Sequence, residues 1–449
     1  MEFAGKKVSV IGLGKTSLAL ARLLRHLGAE PFVSEHRPQE ECADHVKALE
    51  SEGIPFECGA HSERVLKNTG LVIPSPGVPP TIPILESARE AGIPLMSELE
   101  FASRFSTSTL IAVTGTNGKT TTTELIAHLM RQCGMDVGLA GNNACPFSEA
   151  VMQERQPEFL VLEVSSYQLE LVDTFRPQVG CVLNVSNDHL GRHGTMENYA
   201  ATKAKVFARQ GEGDVAIVNA DDAWTTEMGG DSAARIVRFG TSDSVDVCLR
   251  GEDFVANGKV VANRGDSPLP GRHNTENILA ALAIMSVFNV DWEEIQHGLA
   301  SFRGVEHRIE KVADIEGVAY YNDSKSTNLD SLKVALESFD GSILLIAGGE
   351  GKGGDYSVLR DLIQERVKQV IAIGADAEVI CRAWGAATKT APAADMRSAV
   401  EAAHRDAEPG DVVLLSPACA SFDMYQNFEE RGADFKTCVR TISSGGVSV

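Results

Sequence analysis

Several features are scarce in this chain, and each scarcity closes off a class of function. The nine cysteines are scattered from Cys42 to Cys438 and never form a C-x-x-C pair, so neither a disulfide framework nor a zinc cluster is expected. A reducing cytoplasm fits that usage. No stretch approaches the ~18 consecutive apolar residues that a membrane span requires. The first apolar run is short and broken by Gly12 and Gly14, so it reads as a strand and its turn rather than a signal peptide. Positive charge is also short: 41 Lys+Arg against 62 Asp+Glu leave a net charge of −21. A field of that sign repels a phosphate polymer, so no nucleic-acid partner is expected, whereas a small anion can still bind through locally placed donors. Internal repeats and low-complexity tracts do not stand out.

What is present is a globular chain of 449 residues, 43% apolar, with 41 glycines that suit many tight βα turns. At roughly 150 residues per domain this length suggests two or three units. Strand and helix patterns alternate in three of them. We read the fold as α/β with three domains: a Rossmann-like domain over 1–105, a central parallel-sheet domain with a mononucleotide-binding phosphate loop over 106–303, and a second Rossmann-like domain over 304–449. The Ser-Thr-rich run Ser106 to Thr109 and the run Arg303-Gly304-Val305 mark the boundaries. Asp253 to Ala256 and Val260 to Ala262, separated by Gly258, read as a hairpin insert.

The most informative segment is Gly115-Thr116-Asn117-Gly118-Lys119-Thr120-Thr121, between the buried strand Leu110 to Val113 and a helix from about Thr120 to Cys133. Small residues let backbone N–H groups approach phosphate oxygens. The helix end adds partial positive charge, Lys119 a full one, and the Thr120 hydroxyl can ligate Mg2+. Val113 stands where the strict phosphate-loop pattern has its first glycine. An ordinary glycine-rich turn is the plainer reading, but Lys and Thr directly after the last glycine favour a nucleoside triphosphate site.

Metal ligands should then come from neighbouring strand ends, because open α/β sheets bind ligands beyond their carboxyl edges. Glu163 follows Phe159 to Leu162, and Asp188-His189 follow a strand ending at Val185. Each alone reads as a solvated acid or loop histidine; together after a phosphate loop they favour coordination. In the helix expected over Met196 to Arg209, Lys203 lies on the apolar stripe of Met196, Tyr199, Ala200, Val206 and Phe207, with Lys205 pointing away. A snorkelling stem is the plain account. Burial would instead lower its pKa and leave an amine able to be modified or to act as a base.

The first unit carries Gly12-Leu13-Gly14 with Glu35 after its second strand, which mimics a dinucleotide fingerprint, but Ser17 replaces the third glycine. We read it as a cradle for a diphosphate or nucleotide substrate in preference to a nicotinamide site. In the third unit, Asp323-Ser324-Lys325-Ser326-Thr327-Asn328 and Ser416-Pro417-Ala418-Cys419-Ala420-Ser421-Phe422 each follow a strand. Turn and N-cap chemistry would account for either; two such clusters in one unit suggest a ligand edge.

These motifs, with Glu163-Val164-Ser165-Ser166-Tyr167-Gln168-Leu169, Asn187-Asp188-His189, Gly271-Arg272-His273-Asn274 and Glu306-His307-Arg308, resemble the Mur ligase family of bacterial cell-wall synthesis. The resemblance spans essentially the whole chain, and the two runs of the third unit are similar to the D-glutamate-adding branch. It implies ATP-dependent amide formation through an acyl phosphate, with UDP-N-acetylmuramoyl-L-alanine, D-glutamate and ATP as partners and a monomeric, cytoplasmic protein. By the same resemblance Gly115 to Thr121 with Lys119 would bind the ATP phosphates, and Thr120, Glu163, His189 and a carbamylated Lys203 would arrange two Mg2+ ions. Asn274, Arg308, Asp323 and Lys325 would position ATP and the acyl phosphate. Lys352, Thr327, Ser421 and Phe422 would hold D-glutamate, and Thr16, Arg37, Asn142, Ser165 and Gln168 the UDP-linked substrate. The chain departs from the family pattern at Gly191, where an acid is usual, at Asn143-Ala144 and at Glu350. The competing readings are a sister ligase for another amino acid, a nicotinamide oxidoreductase, and a nucleotide-binding switch without synthesis.

Overall fold

The computed structural model describes residues 3–142, 145–230, 232–339, 341–351 and 353–443. The chain divides into two compact units, Met1–Ser267 with Glu276–Ala300, and Pro268–Thr275 with Ser301–Val449. Unit 1 contains two sheets. The first has four parallel strands in the order Phe56–Glu57, Glu30–Ser34, Lys7–Ile11, Thr69–Pro74. The second has nine, in the order Lys259–Asn263, Asp253–Ala256, Val247–Arg250, Arg235–Gly240, Val215–Asn219, Val179–Val182, Thr109–Thr114, Phe159–Glu163, Val137–Gly141. All pairings there are parallel except those of the edge hairpin Asp253–Ala256 and Lys259–Asn263. The central strands are buried along their length, as the unbroken apolar runs require when both faces of a parallel sheet are covered.

One apolar cluster runs without a break from Val8, Leu20 and Val33 through Leu99 and Phe101 to Leu110, Phe147 and Leu162. The helix Glu98–Ser103 lies in chain order between the two sheets of unit 1, and two buried acids fasten it. Glu98 accepts the Ser148 N–H at 2.6 Å, and burial with so few donors pushes its carboxyl up. Burial also raises Glu100, but its hydrogen bonds outweigh that and hold it below 4.5. It accepts the N–H groups of Asp173, Thr174 and Phe175 at 2.8–3.0 Å, the Thr174 hydroxyl, and the Arg104 guanidinium at 3.1 Å. Two glutamates in one short helix thus take opposite shifts because one has a full set of donors.

Unit 2 is a six-stranded sheet in the order Glu310–Ile315, Val318–Asn322, Val412–Leu415, Ile343–Gly348, Val367–Ile373, Lys389–Pro392, antiparallel only at the first pair. The period of two sends Leu345, Val370 and Leu414 to a face covered by Leu332, Leu336, Ile363, Ile380 and Trp384. It sends Leu344, Ile371 and Val413 to the other, under Met396, Val400, Phe435 and Val439. Helices therefore cover both faces.

Two expected helices are corrected. The helix carrying Lys203 is Met196–Ala204, not Met196 to Arg209. Beyond it, i→i+3 bonds from Val206, Phe207 and Ala208 tighten the chain into turns that drive Val206 and Phe207 into the core. The apolar periodicity from Glu276 to Phe288 predicts a helix there, whereas the structure has it over Arg272–Met285. Its first turn, Arg272-His273-Asn274-Thr275, is polar, with Asn274 buried and bonded to Pro270 O, so hydrophobic periodicity does not register it.

Glu100→Gln should lower unfolding free energy by about 2–3 kcal/mol at pH 7, because an amide cannot accept the set of charge-assisted bonds. Since folding depresses this carboxyl below 4.5, its stabilisation is complete above that value and is lost as pH falls through the folded pKa. Urea titrations of both proteins should therefore show a gap that is constant from pH 8 to 6 and narrows once pH falls below the ordinary carboxylate range.

Candidate active site

The strand Thr109–Thr114 delivers the chain into a turn, and the helix Lys119–Gln132 leaves it. Gly118 caps that helix at φ +84°, and a Cβ there would lie 2.2 Å from Asn277 Oδ1. Only glycine fits, on conformation and on space. The loop is held by side-chain amides: Asn184 Oδ1 accepts the N–H groups of Thr116 at 3.1 Å and Asn117 at 2.9 Å, and Asn277 Oδ1 accepts the Thr122 hydroxyl at 3.2 Å. Lys119 folds back so that Nζ donates to the carbonyls of Gly115 at 2.9 Å and Thr116 at 2.8 Å. Thr120 and Thr121 are nearly buried in the first helical turn.

The Gly115 carbonyl also accepts a hydrogen bond from Lys203 Nζ, at 2.8 Å. Lys203 is 1% exposed, as its place on the apolar stripe predicts, and Nζ sits 4.5 Å from the centre of the Tyr199 ring. Burial first, then the neighbouring Lys119 charge, lowers its pKa to about 6. At neutral pH the amine is largely unprotonated. The Tyr199 hydroxyl reaches Thr116 Oγ1 at 3.3 Å, so the phosphate loop and the lysine helix are joined twice.

Glu163 ends its strand buried, and Oε1 accepts Asn142 Nδ2 at 3.0 Å. His189 has φ +55° and side-chain partners of its own: Tyr167 OH 2.9 Å from Nδ1 and Asp188 Oδ2 3.3 Å from Nε2. Tyr167 and Asp188 thus orient the ring although position 191 is glycine. Ser165 and Gln168 form a capping box at the start of the short helix Ser166–Leu169, with Gln168 Oε1 2.9 Å from Ser165 N. Asn142 is exposed, while Asn143, Ala144 and Lys352 lie outside the described residues. The donors suit a hard cation, since Thr120 and Glu163 offer oxygen, which Mg2+ prefers. Among the described residues no three His, Cys, Asp or Glu side chains form a metal cage. The set fits Mg2+ on the terms usual for nucleotide enzymes, with few carboxylates and the rest of the shell from phosphate and water.

In the first sheet, Thr16 lies in the first turn of the helix Lys15–His26. Glu35 is 2% exposed and accepts Leu13 N at 2.7 Å, Arg37 N at 3.0 Å and the Arg37 guanidinium at 3.0 Å. Burial raises its carboxyl, but the Arg37 and Leu13 donors prevail and hold it at about 2. The ribose-binding role that a dinucleotide site asks of an acid is taken up inside the protein. Ser17 Oγ lies 2.5 Å from Ser75 Oγ, in the place of the close packing a third glycine would permit.

In unit 2 the polar runs stand at the carboxyl ends of adjacent strands. Asp323 is buried, with Oδ2 accepting the Ser416 hydroxyl at 2.8 Å and Oδ1 the Ile309 N–H at 3.2 Å. Burial raises it to about 7 against the opposing pull of Ser416 and Arg308. Lys325 N donates to His307 O at 3.0 Å, and Nζ is 5.9 Å from the Phe428 ring centre. Asn274 Nδ2 donates to Pro270 O at 2.7 Å. Thr327 is half-buried, Ser421 is buried, and Phe422 is 70% exposed. Glu350 contributes through its backbone, exchanging N–H and C=O bonds of 3.0 Å with Ala420. Sequence reasoning missed Asn184, Asn277 and Arg431, whose partners lie far along the chain. Asn184 alone left a signal, a polar residue interrupting an apolar run.

Three family descriptions match: a Mur ligase MurD-like N-terminal domain over residues 6–97, a Mur ligase middle domain over 113–285, and a Mur ligase glutamate ligase domain over 307–419. The UDP-N-acetylmuramoylalanine--D-glutamate ligase of Acidobacterium capsulatum is 41% identical, covering 98% of this chain and 97% of its own length. Its counterpart in Salinibacter ruber is 42% identical over 97% and 98%. Among solved structures, the UDP-N-acetylmuramate-alanine ligase MurC of Thermotoga maritima superposes with a TM-score of 0.60 at 19% identity over 97% of this chain and 99% of its own. The MurF ligase of the same organism, solved with ADP, gives 0.59 at 18% over 92% and 95%. The two structures share the fold, and the near-full-length identity with the curated ligases settles the kinship: the chain belongs to the Mur ligase family.

Proposed function

We propose that this chain adds D-glutamate to UDP-N-acetylmuramoyl-L-alanine at the expense of ATP, forming an amide through an acyl phosphate in peptidoglycan precursor synthesis. The observation that carries the chemistry is the Gly115 carbonyl, which receives both Lys119 and the buried Lys203 at the mouth of the phosphate loop. The choice of substrates is supported by the names of relatives at 41% and 42% identity across almost the entire chain.

A carboxylate is a poor acyl donor until one oxygen is converted into a leaving group. In the first step a carboxylate oxygen of the L-alanyl substrate bonds to the γ-phosphorus as its bond to the β-γ bridging oxygen breaks, leaving ADP. In the second the D-glutamate amine attacks the carbonyl carbon, inorganic phosphate departs and the nitrogen loses a proton. Lys119 and the N–H groups of the Gly115 to Thr121 turn bind the phosphates and offset charge as it shifts. Thr16 and Arg37 hold the UDP moiety, with Asn142, Ser165 and Gln168 on the same substrate. Asn274, Arg308, Asp323 and Lys325 orient ATP and the acyl phosphate, and Thr327, Lys352, Ser421 and Phe422 hold D-glutamate. Positioning of this kind can supply about 7–11 kcal/mol of the barrier reduction.

Thr120, Glu163, His189 and a carbamylated Lys203 would hold Mg2+, which when bound neutralises phosphate oxygens. Carbamylation suits Lys203 because its amine, with a pKa of about 6, has a lone pair at neutral pH. Nζ of the neutral amine bonds to the carbon of CO2, one proton is released from the nitrogen, and a neutral side chain becomes an anionic carbamate. A nicotinamide role is disfavoured by Glu35, whose carboxylate is engaged by Leu13 and Arg37.

Purified protein with ATP and Mg2+ should release phosphate only when both D-glutamate and UDP-N-acetylmuramoyl-L-alanine are present. Release that ignores either substrate would reject the ligase, and a panel in which another amino acid outperforms D-glutamate would assign a sister activity. Lys203→Ala should lower turnover by at least about a hundredfold while the melting temperature stays within a few degrees. 13C-bicarbonate should give a carbamate resonance in the wild-type protein that the variant lacks; a fully active variant would make the lysine a packing element alone.

A further inference from the structure

Arg431 is the largest charged side chain sealed inside unit 2, at 1% exposure, and none of the motifs above includes it. It projects from the helix Phe428–Ser443. Its guanidinium makes four hydrogen bonds, all to hydroxyl and carbonyl oxygens: Nε to Ser324 Oγ at 3.0 Å, Nη2 to Ser324 O at 2.9 Å and Cys419 O at 3.1 Å, and Nη1 to Ala420 O at 3.1 Å. Ser324 Oγ in turn donates to Phe428 O at 2.8 Å, closing the ring back onto the helix. The two loops so joined leave the adjacent strands Val318–Asn322 and Val412–Leu415.

Those loops carry the residues whose separation matters most. Lys325 and Thr327 follow Ser324, and Ser421 follows Ala420. A third loop approaches the same group: a Cβ on Gly349 would lie 3.1 Å from Arg431 Nη1 and 2.2 Å from Ala420 O. The next residue, Gly432, lets the helix press on a fourth segment, since a Cβ there would fall 2.1 Å from His307 Nδ1. One turn on, Lys436 bonds Glu306 and, at 3.1 Å, Glu310.

Burying a guanidinium among neutral oxygens is costly, and burial lowers its pKa to about 10. A lysine could not replace it, because a single ammonium cannot span donors that reach four acceptors on two loops, whereas a planar fork does so with little freedom. We propose that Arg431 is a positioning residue for D-glutamate. It fixes the spacing between the loop of Lys325 and Thr327 and the loop of Ser421, so that one amino acid is gripped from both. This rests on the ligase reading above, which the wild-type protein tests separately.

Once the wild-type protein shows D-glutamate-dependent phosphate release, Arg431→Lys, Arg431→Ala and Val439→Ala are compared. Val439 is buried in the same helix, in the apolar layer with Leu344, Ile371 and Val413, so it reports destabilisation. Arg431→Lys should raise KM for D-glutamate about tenfold or more and leave KM for the UDP-linked substrate within about twofold. Added guanidinium should restore part of the loss in Arg431→Ala, and Val439→Ala should lower the melting temperature with neither KM changed. Hydrogen exchange on the wild-type protein needs no variant: the amides of Ser326 and Ala420 should lose protection together, with the amides of helix Phe428–Ser443. An unchanged KM for D-glutamate in Arg431→Lys, an equal rise in Val439→Ala, or independent opening of the two loops would overturn the proposal.

Discussion

Two amines directed at one carbonyl oxygen form the constraint around which the rest of unit 1 is arranged. Lys119 and Lys203 both donate to Gly115 O, and in water their charges would repel. Inside the protein the conflict is resolved unequally. Lys119 is half-buried and, on the proposed reading, meets the phosphates. Lys203, enclosed by Tyr199 and the core, has its pKa lowered to about 6. On the proposed reading one lysine binds charge and the other reacts, and burial is the first cause that sets Lys203 apart.

That arrangement needs a rigid frame, and the structure supplies it with side-chain amides. Asn184 fixes the N–H groups of Thr116 and Asn117, Asn277 occupies the space beneath Gly118, and the Tyr199 hydroxyl joins the turn to the lysine helix. None of these groups needs to touch substrate. They set the direction of backbone donors in advance, which is the part of electrostatic stabilisation that costs nothing at the moment of reaction.

Unit 2 solves a comparable problem differently. Its loops at the sheet's carboxyl edge are tied by Asp323 to Ser416, by Glu350 to Ala420, and by a buried guanidinium reaching both polar runs. The glycines of the Gly348-Gly349 turn are needed because backbone carbonyls of Ile373 and Ala420 lie where a Cβ would be. The same economy appears in the helix that lies in chain order between the two sheets of unit 1, where donor count alone sends Glu98 and Glu100 in opposite directions.

Chain order alone determined the α/β class, the parallel core strands, the edge hairpin, the phosphate turn and the inward face of Lys203, because each is written in local periodicity or in residues adjacent in sequence. It also carried the family, through motifs whose residues stand side by side. Tertiary structure decided everything that depends on groups meeting from afar. The core continuous from Val8 to Met228 joins runs that look separable by composition. The helix of Lys203 stops at Ala204 because Val206 and Phe207 are pulled into that core. Glu35, which resembles a ribose ligand in one dimension, is claimed by Arg37 and by Leu13 from 22 residues away. Arg431 gives no sequence signal, since its meaning is the 107 residues that separate it from Ser324 and vanish on folding. Periodicity records which face of an element is buried; only the packed fold records what waits there.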